Sequence, residues 1–188
     1  MQQIKFGIAG YGKMGKIREE SILKSDQAKL ISIYEISEHA HDDKNIILCD
    51  SYTKLLETDI DAVIVSAYVK VAAEYVIRAL KTGKHVFCEK PPSMTSKEML
   101  EVIEAEKSTG KILKYGLNHR FHYSVMEAKK LVDEGTLGKL LWMRGLYGKA
   151  GSIDYHDNWR NYKNYSGGGI LLDQGIHMLD LFRYLSGN

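Results

Sequence analysis

The chain has 188 residues, of which 44% are apolar and 27% charged, and its formal net charge is +2. That length holds one complete domain and part of another, and the composition is too apolar for a disordered chain. Lys and Arg are dispersed among Asp and Glu, which excludes the basic patch of a nucleic-acid or anionic-membrane binder and points to a small-molecule partner.

The opening "MQQIKFGIAG" has no cationic head before a signal-length apolar run, and no segment approaches the ~20 apolar residues that span a bilayer, so a cytoplasmic protein is expected. As far as residue 118, short β-branched runs alternate with stretches of helical period, the rhythm of a parallel α/β sheet. Strands are predicted over 4–10, 29–35, 62–66, 85–89 and 111–118, most of them too apolar to have a solvated face. Helices are predicted over 13–25, 70–82 and 95–109, the last opening with "TSKE", where Thr95 or Ser96 caps and Glu98 reaches back. Gly83 and Gly110 follow helical patterns and read as left-handed stops. Cys49, in a predicted loop, and Cys88, in a predicted buried strand, lack zinc or disulfide spacing and read as reduced thiols. After Asn118 come a predicted helix "SVMEAKKLVDEG", a predicted strand "KLLWMRGLYGK", a polar aromatic loop and a final helix. With no repeat or linker, the chain divides near 118, into 1–118 and 119–188.

Three segments carry chemistry. "GIAGYGKMG" sets Gly10, Gly12 and Gly15 in the spacing G-x-G-x-x-G between a strand and a helix, where a backbone turn admits a pyrophosphate at a helix N-terminus. Glu35 stands twenty residues after Gly15, at the end of the second strand, where an acid hydrogen-bonds a ribose. The other reading of the turn is a packing device with Glu35 capping a strand. "HVFCEKPPSM" places Glu89 and Lys90 at the carboxyl end of a strand, the edge where open α/β sheets bind ligands; otherwise Lys90 is a surface lysine before a rigid turn. In "GGGILLDQGIHMLDL", Asp173, His177 and Asp180 share roughly one helix face, facing a cavity or solvent, while Leu171, Leu172, Ile176, Leu179 and Phe182 pack. A histidine with a carboxylate one turn earlier is a candidate oriented general base.

Taken together, the glycine turn, the "EKP" of Glu89–Pro91, the "WR" of Trp159 and Arg160, and "GGGILLDQGIHMLDL" resemble the glucose-fructose oxidoreductase/inositol dehydrogenase/MocA (Gfo/Idh/MocA) family of NAD(P)-dependent oxidoreductases. The resemblance runs over the whole chain in one order. It implies a doubly wound Rossmann domain over 1–118, followed over 119–188 by the incomplete start of an α/β substrate domain built on a mostly antiparallel sheet. It implies Lys90, Asp173 and His177 as catalytic residues. Cofactor contacts are expected at Gly10, Tyr11, Gly12, Lys13, Met14, Gly15, Glu35, Ser66, Glu89 and Lys90, with substrate contacts at Lys90, His119, Trp159, Arg160, Asp173 and His177. In "SAYVKVA", Tyr68 and Val69 stand where the family has Pro and Asn, and Ala72 where it has His, so the contacts of those three positions are not carried over, whereas Ser66 is kept.

The expected activity is hydride exchange between NAD, in preference to NADP, and a secondary alcohol or ketone of a sugar, sugar nucleotide or cyclic polyol. The family continues well beyond residue 188, so a C-terminally truncated form is expected, either self-associating through its second portion as a homo-oligomer or with its last helix loosely held, and with weak or absent turnover. A non-catalytic dinucleotide-binding module is the alternative. A metal hydrolase using Asp154, His156 and Asp157 is more remote, because those residues lack helix-spaced ligand geometry.

Overall fold

In the computed structural model, residues 3–37, 41, 43–148 and 161–187 are described, and they fall into two units, Met1–Gly116 and Leu117–Asn188. The first runs β1 (Ile4–Ala9), α1 (Lys13–Leu23), β2 (Ala28–Tyr34), β3 (Ile47–Cys49), α2 (Tyr52–Glu57), β4 (Ala62–Val65), α3 (Val69–Lys81), β5 (His85–Cys88), α4 (Ser96–Thr109) and β6 (Leu113–Tyr115). All strand pairs are parallel, in the order β3-β2-β1-β4-β5-β6. The order reverses direction between β1 and β4, which opens a crevice at their carboxyl ends.

Period-two alternation divides the strands between two cores. Val63 and Val65 of β4 join Leu55, Val76, Leu80, Val86 and Val102 beneath α2, α3 and α4. Ile64, from the same strand, joins Ile8, Ile22, Leu30 and Ile33 on the other side, where α1 contributes the only helical member of the cluster. The unequal cover leaves an apolar groove of about 550 Å³ along that second face, lined by residues including Phe6, Ile64, Phe87 and Ile112, with Arg18 and Lys114 beside them.

In the first unit the predicted strands and helices form at these positions, with ends shifted by a few residues, and β6 is reduced to three residues. Two elements of this unit were not foreseen. Cys49, expected in a loop, ends β3 and is buried, and α2 follows with Ser51 as N-cap accepting from the Lys54 amide. Elements of three and six residues are too short to display a period.

The second unit holds a 3₁₀ turn (Asn118–Phe121), α5 (Tyr123–Asp133), α6 (Lys163–Ser166), a π-helical turn (Leu171–Gly175) and α7 (Ile176–Ser186). The strand predicted over 139–149 is absent from its described residues, 139–148. A strand needs a neighbour for its backbone groups, and no strand is present among the unit's described residues; Leu141, Trp142 and Leu146 are exposed. Of the two directions expected for the polar stripe of the final helix, a cavity or solvent, it does not face solvent. Its polar side chains are inside, with His177 4% and Asp180 8% exposed, while Leu171 and Leu179 are 71% and 58% exposed.

Local signals hold where they were clearest. Gly83 and Gly110 have φ of +81° and +63°. The Thr95 side chain accepts from the Glu98 amide at 3.2 Å, and the Glu98 carboxylate accepts from the Thr95 amide at 3.0 Å, completing a capping box on α4. Thr95→Ala removes half of this exchange, and urea unfolding should show a loss of about 1 kcal/mol.

Candidate active site

The cofactor candidates of the first unit stand at the carboxyl edge of the sheet. Gly10 ends β1 with φ +91°, and a Cβ there would lie 2.6 Å from the Ala67 amide nitrogen, so the turn is pressed against the chain leaving β4. A Cβ on Gly15 would sit 2.3 Å from the Gly10 carbonyl oxygen, which also accepts from Ser66 Oγ at 2.6 Å. Gly12 differs: a Cβ there meets nothing within 4 Å. Gly12 also caps α1 without a side-chain hydrogen bond, and the first turn of α1, which includes Lys13 and Met14, has no acidic residue. The amides of that turn are therefore available to an anion, and the open space at Gly12 lets one come close.

Glu35, just past β2, is brought to the same turn. Its Oε2 accepts from the Tyr11 amide at 2.6 Å, and its Oε1 accepts from the Ser37 amide and hydroxyl, each at 3.2 Å. Tyr11 is itself held at its far end, where its hydroxyl donates to Glu19, and Glu19 pairs with His41 at 2.6 Å. Burial alone would lower the His41 pKa, but the hydrogen bond and charge of Glu19, with Asp43, raise it above the ordinary imidazole value.

Glu89 follows β5, and its carboxylate accepts from Arg18 Nε at 2.6 Å, while the Arg18 guanidinium lies 4.8 Å from the Phe87 ring centroid. The same carboxylate fills the space a side chain on Gly116 would need, 2.7 Å from an ideal Cβ. Glu89 is thus engaged by its own unit. Lys90, the next residue, is half-buried and precedes a cis bond to Pro91.

In the second unit, Asp173 lies in the π-helical turn and accepts from the Gln174 side chain at 2.7 Å. Because that turn is π-helical, the four-residue spacing from Asp173 to His177 does not correspond to one α-helical turn. His177, in the first turn of α7, meets His119 of the 3₁₀ turn, with ring centroids 3.8 Å apart and planes at 60°. Asp180, expected in an open polar stripe, is taken by Arg120: Nε donates at 2.7 Å and Nη2 donates to the other carboxylate oxygen. That bidentate contact raises the Arg120 pKa further. The structure thus joins Gly10, Tyr11, Gly15, Glu35 and Ser66 in one cluster and His119 with His177 in another. Trp159 and Arg160, like Asp154, His156 and Asp157, lie outside the described residues. Among the described residues no group of His, Cys, Asp and Glu is arranged to hold a metal.

Sequence reasoning missed Arg18, Glu19, His41 and Arg120. Each finds its partner 22 or more residues away, except Glu19 with Tyr11, and no local spacing announces such a pair.

Residues 4–117 match the family described as "Oxidoreductase family, NAD-binding Rossmann fold", and residues 125–188 match the GFO/IDH/MocA C-terminal domain. The chain is 32% identical over 190 aligned positions to myo-inositol 2-dehydrogenase of Thermotoga maritima, covering 98% of this chain and 55% of that protein. It is 29% identical to the NAD(+)-dependent scyllo-inositol 2-dehydrogenase of Bacillus subtilis, covering 98% of this chain and 54% of that one. The crystal structure of scyllo-inositol dehydrogenase from Lactobacillus casei, with bound NAD(H) and scyllo-inositol, superposes with a TM-score of 0.88 at 27% identity, covering 99% of this chain and 57% of that chain. The chain therefore spans about half the length of the relatives it matches. With family matches in both units, the chain belongs to the Gfo/Idh/MocA oxidoreductase family, and its first unit is that family's NAD-binding Rossmann fold.

Proposed function

We propose that this chain carries the nucleotide site and the catalytic helix of an NAD-dependent dehydrogenase or reductase acting on a secondary alcohol or ketone of a sugar or cyclic polyol. The observation that carries the reading is the turn at Gly10–Gly15, open at Gly12 and bonded through the Tyr11 amide to Glu35. Inositol dehydrogenases among the relatives support the substrate class. NAD, when bound, supplies the hydride acceptor.

The chain's own residues then have distinct tasks. The first-turn amides of α1 hold the pyrophosphate, and Glu35 accepts from the ribose hydroxyls. His177 takes the hydroxyl proton of the substrate, Lys90 holds that oxygen and Asp173 orients the substrate. No helix among the described residues is long and apolar enough to cross a membrane. A cytoplasmic protein that self-associates completes the reading; the exposed Leu171 and Leu179 of the final helical stretch favour association.

Calorimetric titration should give tighter binding for NAD than for NADP, because the Glu35 carboxylate repels a 2′-phosphate. Glu35→Ala should narrow the difference, and tighter NADP binding to the parent would overturn the assignment. The glycines separate folding from binding. Gly15→Ala forces a Cβ against a backbone carbonyl and should lower the unfolding midpoint, whereas Gly12→Ala should leave stability within about 0.5 kcal/mol while weakening NAD.

Turnover on a panel of polyols and sugars tests the catalytic half. Lys90→Met and His177→Ala should each lower it about 100-fold or more with NAD affinity nearly unchanged. Folded variants with ordinary turnover would remove these residues from the chemistry.

A further inference from the structure

The approach of His119 to His177 is closer than substrate contact by two independent side chains requires. The rings meet edge to face with centroids 3.8 Å apart, and His177 is buried. His119 also has His122 at 5.1 Å and Tyr147 at 5.6 Å, while Tyr147 lies nearly parallel to His177 at 6.4 Å. Tyr147 reaches the pair from the irregular segment before residue 149, and His122 from the N-cap of α5. Asp173 stands in the turn leading into α7. The charges of Arg120 and Asp180, which join the 3₁₀ turn to α7, are satisfied by one another.

We infer that His119 is a positioning residue that acts through His177, the two imidazoles binding a single proton between them. This rests on His177 being the group that accepts the substrate hydroxyl proton. Two imidazolium charges at van der Waals distance in a partly desolvated site repel strongly, so a proton on either ring opposes one on the other. The consequence is a pair that remains able to accept one proton in the neutral range: the alcohol O–H bond breaks, its proton passes to His177, and the pair's total rises from none to one. His119 fixes the ring it abuts and keeps the second proton away, without touching the substrate. The Arg120–Asp180 bridge supports the arrangement by fastening the element that carries His119 to the helix that carries His177.

Proton NMR of the histidine ring C2–H signals in this chain tests the inference without substrate or cofactor. Signals are assigned with His119→Gln, His119→Phe and His177→Gln. In the parent, the His119 and His177 signals should each report two inflections, separated on the order of one pH unit or more. In either His119 variant, His177 should titrate in one step, above the lower step of the parent; in His177→Gln, His119 should do the same. Phe keeps a ring against His177 without its charge, so a shift in that variant identifies charge rather than packing. If His119→Gln does not fold, the Phe variant and the reciprocal His177→Gln decide. Single, mutually independent inflections overturn the pair even in an enzyme that turns over, whereas coupled titration with no dehydrogenase activity leaves the pair standing and removes the function assigned to it.

Discussion

The Gly10 carbonyl oxygen lies where the next turn of chain leaves no room for a side chain. The Ser66 hydroxyl donates to it, and the backbone of Gly15 passes so near that any larger residue would collide with it. This approach sets the direction in which α1 leaves β1 and the depth at which its first turn stands over the seam between β1 and β4. The Tyr11 amide is then presented to Glu35 and the Tyr11 hydroxyl to Glu19, so one residue connects the end of β2 to the middle of α1. The acid proposed to read a ribose and the amides proposed to hold a pyrophosphate are positioned by the same few backbone atoms. A site assembled in this way loses little freedom when a ligand arrives.

Features governed by neighbours along the chain were legible in the sequence. Glycine spacing marked the turn, the acid twenty residues later marked the end of β2, and "TSKE" marked a helix start that forms both of its reciprocal bonds. Contacts across long loops were not legible. Arg18 and Glu89 are 71 positions apart, and although the strand end marked Glu89, nothing local marked Arg18 as its partner. The predicted strand over 139–149 had the composition of a strand, but composition does not provide hydrogen-bonding neighbours, and its described part remains irregular.

The final helix was legible only as alternatives. Its polar stripe was expected against a cavity or solvent and its leucines were expected to pack; Asp173, Gln174, His177 and Asp180 are buried, Leu172, Ile176 and Phe182 are half-buried, and Leu171 and Leu179 are exposed. Burying a carboxylate is costly unless it is paired and its oxygens are satisfied, and Arg120 provides both for Asp180 from 60 residues away. An ion pair of this kind is weak evidence for stability. It does specify which way the helix rolls, since turning Asp180 outward would leave Arg120 without its partner. The rotation that hides Asp180 also brings His177 to His119, so the placement of the candidate base follows from an electrostatic match that neither segment reveals alone.

The unequal cover of the sheet ties the two kinds of work done by α1. Three helices shelter one face, but α1 is the helix that contributes to the second core, and its first turn is also the proposed anion cradle. A nucleotide seated on that turn would therefore bear on the helix that covers part of the second face of the sheet. By mass action, whatever binds only the closed form draws the population away from states in which α1 has lifted, and the second core gains protection in proportion to ligand occupancy. A nucleotide held there would in this sense be a part of the domain's architecture, and its concentration would set how often that side of the sheet meets water.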